Sequence, residues 1–120
     1  MTRIAALALV GLVALLHLYF LVLEMFLFTK PLGLKTFRLT PEAARTSAAL
    51  AKNQGLYNGF LSAGLVWGMV RGDRDVITFF LACVIVAGVY GAATAIKRIL
   101  FIQALPAAIA LALVWMSLAA

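Results

Sequence analysis

Charge is scarce in this chain. Of its 120 residues only 12% are charged and 66% are hydrophobic. A soluble globular domain carries about a quarter charged residues, so that class is excluded. Disorder is excluded as well, because there is ample apolar surface to bury. A single cysteine, Cys83, rules out an internal disulfide framework or a thiolate-rich metal cluster within one chain. A single histidine, His17, rules out a multi-histidine metal site unless subunits share it. The net charge is +6, yet the basic residues fall between apolar runs rather than in one patch. No nucleic-acid partner is expected from that distribution.

Long apolar runs are present instead. A helix needs about 20 mainly apolar residues to cross a bilayer core. Four segments qualify, at about 4–28, 54–70, 76–96 and 99–118. They are continuous rather than alternating, which favours helices over a closed barrel. The first follows the short basic start Met1-Thr2-Arg3 but exceeds a signal-peptide core, and no small-x-small cleavage site follows it. It reads as a retained span. The expected architecture is an all-α integral membrane four-helix bundle, a single transmembrane domain over 1–120.

The connections differ. Arg71-Gly72-Asp73-Arg74-Asp75 is a tight turn, so spans two and three form an antiparallel hairpin. Lys97-Arg98 joins spans three and four. The first connection, Thr29 to Asn53, opens with the break signal Lys30-Pro31-Leu32-Gly33. Thr40-Pro41-Glu42 then reads as an N-cap, a proline at the first helical position and an acid in the first turn. A loop-helix from Pro41 should merge into span two.

Orientation follows from the basic residues. Seven of the ten, Lys30, Lys35, Arg38, Arg45, Lys52, Lys97 and Arg98, fall on one side of the predicted spans. Arg3, Arg71 and Arg74 fall on the other. The positive-inside rule places the long loop in the cytoplasm and both termini outside. Trp67 and Trp115 then lie near the outer interface, where tryptophan is common. The expected location is the bacterial inner membrane, and membrane lipid is the expected neighbour.

Ionisable and amide groups inside spans stand out because hydrocarbon penalises them. Glu24 ends span one, with no basic residue three or four positions away. His17 is seven residues earlier, close to two turns, so both side chains share a face about 10 Å apart in rise. Asn53, Gln54, Tyr57 and Asn58 open span two, paired at four-residue spacings. Gly55 with Gly59, and Gly64 with Gly68, make small-xxx-small pairs that let helices approach closely. Span three carries Cys83, Tyr90 and Thr94 along one stripe, with Gly88 and Gly91 beside it. In span four Gln103 precedes Pro106, which removes a backbone donor and should disturb the helix near Ile102. Alternating span directions put all these polar groups at cytoplasmic depth apart from His17. A polar cavity open to that side is the expectation. The bland alternative is amide fastening between helices and a Glu24 that snorkels to the interface.

Three pieces together resemble a known family: the His17…Glu24 helix, the run Asn-Gln-Gly-Leu-Tyr-Asn-Gly-Phe-Leu at 53–61, and Gln-Ala-Leu-Pro-Ala at 103–107. The chain resembles the bacterial four-helix membrane proteins grouped as domain of unknown function thirteen-zero-four. The resemblance covers nearly the whole chain, and the run at 53–61 is its most specific part. It implies four spans and supplies no activity.

Three functions compete. The first is a proton-coupled transporter or permease for a small molecule, acting as a homo-oligomer. Glu24 would exchange the proton, and Asn53, Gln54, Asn58, Tyr90 and Gln103 would line the pocket. Size, span number and a first-helix glutamate resemble small multidrug-resistance transporters in architecture, without a shared motif. The second is a structural or accessory subunit, in which the amides only join helices. The third is a membrane enzyme or a binder of a lipid-soluble substrate, with His17 or Glu24 as acid or base. No Ser/His/Asp set, metal-ligand spacing or phosphate loop supports it. No cofactor is expected, since a haem would need His17 to share the iron with another ligand.

Overall fold

A computed structural model describes residues 2–95 and 97–118. Among them every regular element is helical: α1 (Thr2–Met25), α2 (Pro31–Phe37), α3 (Pro41–Arg71), α4 (Arg74–Thr94), a π-helical turn at Leu100–Ala104, and α5 (Leu105–Ser117). Three stretches are long and apolar enough to cross a membrane: Thr2–Met25, Arg74–Thr94 and Leu100–Ser117. At 1.5 Å per residue, α4 alone is about 30 Å long, the thickness of a hydrocarbon core. Large apolar side chains such as Ile4, Val70, Phe79, Val86, Phe101 and Met116 point outward. A coat of that kind suits lipid and not water, so the fold is membrane-associated.

The predicted second span, 54–70, falls inside α3 and is not one of those three stretches. The reason is chemical. Gln54 and Asn58 lie within it and lower its apolar content.

The chain divides into two compact units. The first takes the chain up to Ala14 and from Leu61 onward. Its core is built from helical spacings: Ala6, Val10 and Val13 on α1, Leu65 on α3, Ile77, Leu81 and Val84 on α4, and Ala107, Ala110 and Val114 on α5. Small residues let backbones meet. A Cβ on Gly88 would lie 3.0 Å from the backbone nitrogen of Ala104, so glycine sets the distance between α4 and the π-helical turn. Gly64 faces the ring of Phe80, Gly68 faces Ile77, and Gly91 faces Ile99. The α3–α4 turn uses Gly72 at φ 63. Asp73 then caps α4, accepting from the amides of Asp75 and Val76 at 3.0 and 3.2 Å. Trp115 donates to the Thr78 hydroxyl at 2.9 Å, and the Arg74 guanidinium stacks 3.7 Å above its ring.

Pro106 acts on its helix as the sequence predicts, in a particular form. The backbone before it widens into the π-helical turn, where the Leu105 amide donates to Leu100 five residues back. A proline ring crowds the carbonyl four residues earlier, and a wider turn relieves that crowding.

The second unit spans Leu15–Phe60. Here α1 stops at Met25, three residues before the predicted end of span one. The amides of Phe26 and Leu27 both donate to the Val22 carbonyl, at 3.0 and 3.1 Å, and the chain turns. Pro31 starts α2, a short helix within the stretch that the sequence marks as a break. A Cβ on Gly33 would lie 2.0 Å from the Leu27 carbonyl oxygen, so only glycine lets α2 fold back onto this turn. Arg38 ends α2 in the left-handed region at φ 55, a position where glycine is usual. The predicted start of the loop-helix is present: Thr40 Oγ1 accepts from the Ala43 amide at 3.1 Å, Pro41 leads and Glu42 follows. From there α3 runs unbroken to Arg71.

Candidate functional site

The site is built in the second unit from a face of small residues. Ala44, Ala51, Gly55 and Asn58 are buried at helical spacing along α3. A Cβ on Gly55 would meet Met25 Cγ at 2.6 Å, Glu24 Cβ at 3.1 Å and the Leu21 carbonyl oxygen at 3.2 Å. One on Gly59 would meet Leu21 Cδ1 at 2.7 Å. The glycines therefore bring α3 onto α1 at the level of Glu24. That close approach puts the Asn58 amide within reach, and its Nδ2 donates to Glu24 Oε1. Asn58 is 8% exposed, so this contact is shielded from solvent on the α3 side.

Beside the pair lies a cavity of about 180 Å³ lined by Glu24, Phe26, Phe28, Thr29, Ala48 and Lys52 among others. Both signs of charge line it. Glu24 forms no ion pair among the described residues, where the ion pair present joins Arg74 to Asp75 at 4.0 Å. A carboxylate has about four lone-pair sites, and Asn58 takes one of them. The remainder are available to an occupant.

His17 is fully buried in the same unit, with its ring edge-on to Phe20 at 5.3 Å. Asn53 and Gln54 are exposed on α3. Tyr57 is also exposed, its ring edge-on to Phe60 at 5.4 Å. The remaining candidates belong to the first unit. Tyr90 is exposed, and Thr94, also exposed, donates to the Tyr90 carbonyl at 2.7 Å. Gln103 is half-buried and donates to the Val84 carbonyl at 3.1 Å, which fastens the π-helical turn to α4. Among the nine polar candidates, the structure joins Glu24 directly to Asn58.

Sequence reasoning passed over two kinds of cavity-wall residue and, in the first unit, one fastening group. Lys52 reads as a topology lysine, although it lies six residues before Asn58 on α3. Phe28 and Thr29 read as the end of a span and the start of a loop; the early turn after Met25 makes them cavity wall. Ser62, four residues after Asn58, is buried and donates to the Ala14 carbonyl at 2.8 Å. Its spacing from Asn58 is the signal that would have found it.

Comparison with known proteins agrees with the resemblance read from the residues. The chain is 30% identical over 96 residues to "Uncharacterized protein YpaA" of Lactococcus lactis subsp. lactis (strain IL1403), covering 77% of this chain and 81% of that protein. No solved structure matches the chain. The family described as "Protein of unknown function (DUF1304)" matches residues 11–115, nearly the whole chain, and the protein belongs to that family.

Proposed function

We propose that the protein is a proton-coupled transporter of a small molecule in the bacterial inner membrane, working as a homo-oligomer, with Glu24 as its proton-exchanging carboxyl. In this reading α3 supplies a fourth span and its polar stretch faces protein rather than lipid. Both termini lie outside, and the Glu24 cavity opens to the cytoplasm. The distribution of lysine and arginine supports that orientation. The observation that carries the function is the Glu24–Asn58 contact beside a cavity, at the end of a helix apolar enough to span. A carboxyl held by a neutral amide, with no ion pair among the described residues to fix its charge, can take up and release a proton as the occupant of the cavity changes.

A second reading, an accessory subunit, draws support from the first unit. There Gln103 and Ser62 spend their donors on backbone carbonyls of neighbouring helices, as fastening groups do.

The test is proton flux. The full chain, reconstituted in liposomes with an entrapped pH-sensitive dye, should dissipate an imposed pH gradient. Glu24→Gln keeps the side-chain shape and removes the exchangeable proton, and it should abolish the flux while retaining the parental helical content. Equal flux from parent and variant favours the accessory subunit. Cysteine introduced at Lys35 should resist impermeant thiol reagents in intact cells; rapid labelling there reverses the orientation.

A further inference from the structure

The Glu24 cavity is lined by two groups that can carry opposite charges and that form no ion pair with one another. Glu24 and Lys52 both line its 180 Å³. When both are ionised, two charges facing one small space leave either a poor match for an occupant of single sign. A cation would be drawn to Glu24 and repelled by Lys52, and an anion the reverse. An occupant with both charges satisfies both walls.

The size of the space sets a further limit. At about 180 Å³ it is smaller than the roughly 300–1,000 Å³ of a pocket for a drug-sized ligand. That is room for a compact molecule of a few heavy atoms. The rest of the wall fits such a ligand. Met25, Phe26 and Phe28 also line it, which suits a short carbon skeleton. Thr29 completes the wall on the side of the turn after α1. Ala48, on the face of α3 next to Lys52, has no side chain long enough to fill the space.

We propose that this cavity binds a small zwitterion, an amino-acid-like molecule whose ammonium group meets Glu24 and whose carboxylate meets Lys52. Asn58 is a positioning residue: it occupies one carboxylate oxygen of Glu24 and fixes the plane in which the other accepts. The inference rests on the transporter reading and narrows its substrate class. It also gives proton coupling a physical form. An arriving ammonium group and a proton compete for one carboxylate, so binding of the first releases the second.

The test uses the full chain in lipid nanodiscs, titrated calorimetrically with three probes of similar size: L-alanine, propylamine and propionate. Alanine should bind at least about tenfold more tightly than either single-charge probe, the discrimination one charge-assisted contact supports. Lys52→Met should erase the preference of alanine over propylamine, and Lys52→Arg should restore part of it. Glu24→Gln should erase the preference over propionate. Circular dichroism identifies variants that fail to fold. Parent protein that binds propylamine or propionate as tightly as alanine, or binds none of the three, overturns the inference. Failure of the transporter reading is a separate result. Alanine binding with a Glu24-independent proton flux removes the transporter and leaves the zwitterion site. A Glu24-dependent flux without alanine binding does the opposite.

Discussion

The two units of this chain differ in what the polar side chains at their helix–helix contacts reach. In the first, Ser62, Gln103 and Trp115 each end on a fixed partner: two on backbone carbonyls and one on the Thr78 hydroxyl. Those contacts close helix seams that small residues have already brought together. In the second, Glu24 meets Asn58 side chain to side chain, next to an open cavity with a lysine in its wall. A donor spent on backbone is saturated and static. A carboxylate with acceptor capacity left over and space beside it is able to change state. The difference separates scaffold from candidate site although both are built by the same device, glycine and alanine at helix contacts.

Breaking the glycine seams should have the largest effect, and an unequal one. Gly33→Ala places a methyl group against the carbonyls of Leu27 and Phe28, where no side chain can move aside. It should destabilise by about 3 kcal/mol and deform the cavity wall, read as a lower melting temperature in detergent and loss of ligand response. Gly88→Ala presses on the backbone of Ala104 at 3.0 Å and should cost about 2 kcal/mol, with the Glu24 site left intact.

A double-mutant cycle sharpens the contrast further. Glu24→Ala and Asn58→Ala should couple by about 1 kcal/mol in denaturant unfolding, since each leaves the other without its partner. Additive losses would show that the contact has no energetic content. Gln103→Leu gives the smallest change. It should cost about 1 kcal/mol or less, because Val84 keeps its intrahelical partner, and proton flux through Glu24 should be unaffected. A loss of flux in Gln103→Leu would tie the first unit to the site and erase the distinction drawn between them.

Much of the helical plan was legible in the residues. Thr40-Pro41-Glu42 announces the start of α3 because capping depends on local chemistry, and the cap is where those residues place it. The apolar runs give α1, α4 and α5 because backbone groups in a hydrocarbon-like stretch must bond within their own segment. Pro106 marks the disturbed turn for the same local reason. The end of α1 was less legible. Phe26, Leu27 and Phe28 are as apolar as any helix interior, and only the fold-back of α2 through Gly33 takes them out of the helix. The short helix α2 was hidden for a related reason, since Arg38 stops it in a conformation that sequence reasoning assigns to glycine.

Composition and pattern by themselves determined that this is an all-helical, membrane-associated chain with an acid and several amides placed inside apolar segments. Those are properties of local sequence: run length, capping residues and the cost of each side chain in hydrocarbon. Which amide meets the acid was decided by tertiary structure. Asn53, Gln54 and Asn58 are chemically near-equivalent in the sequence, and the side on which Gly55 and Gly59 admit α1 selects Asn58 and leaves the others exposed. Lys52 became part of the same cavity because the chain turns after Met25 and brings Phe28 and Thr29 round to face it. Contacts of that kind depend on which backbones can approach, and a helical period alone does not specify the neighbour.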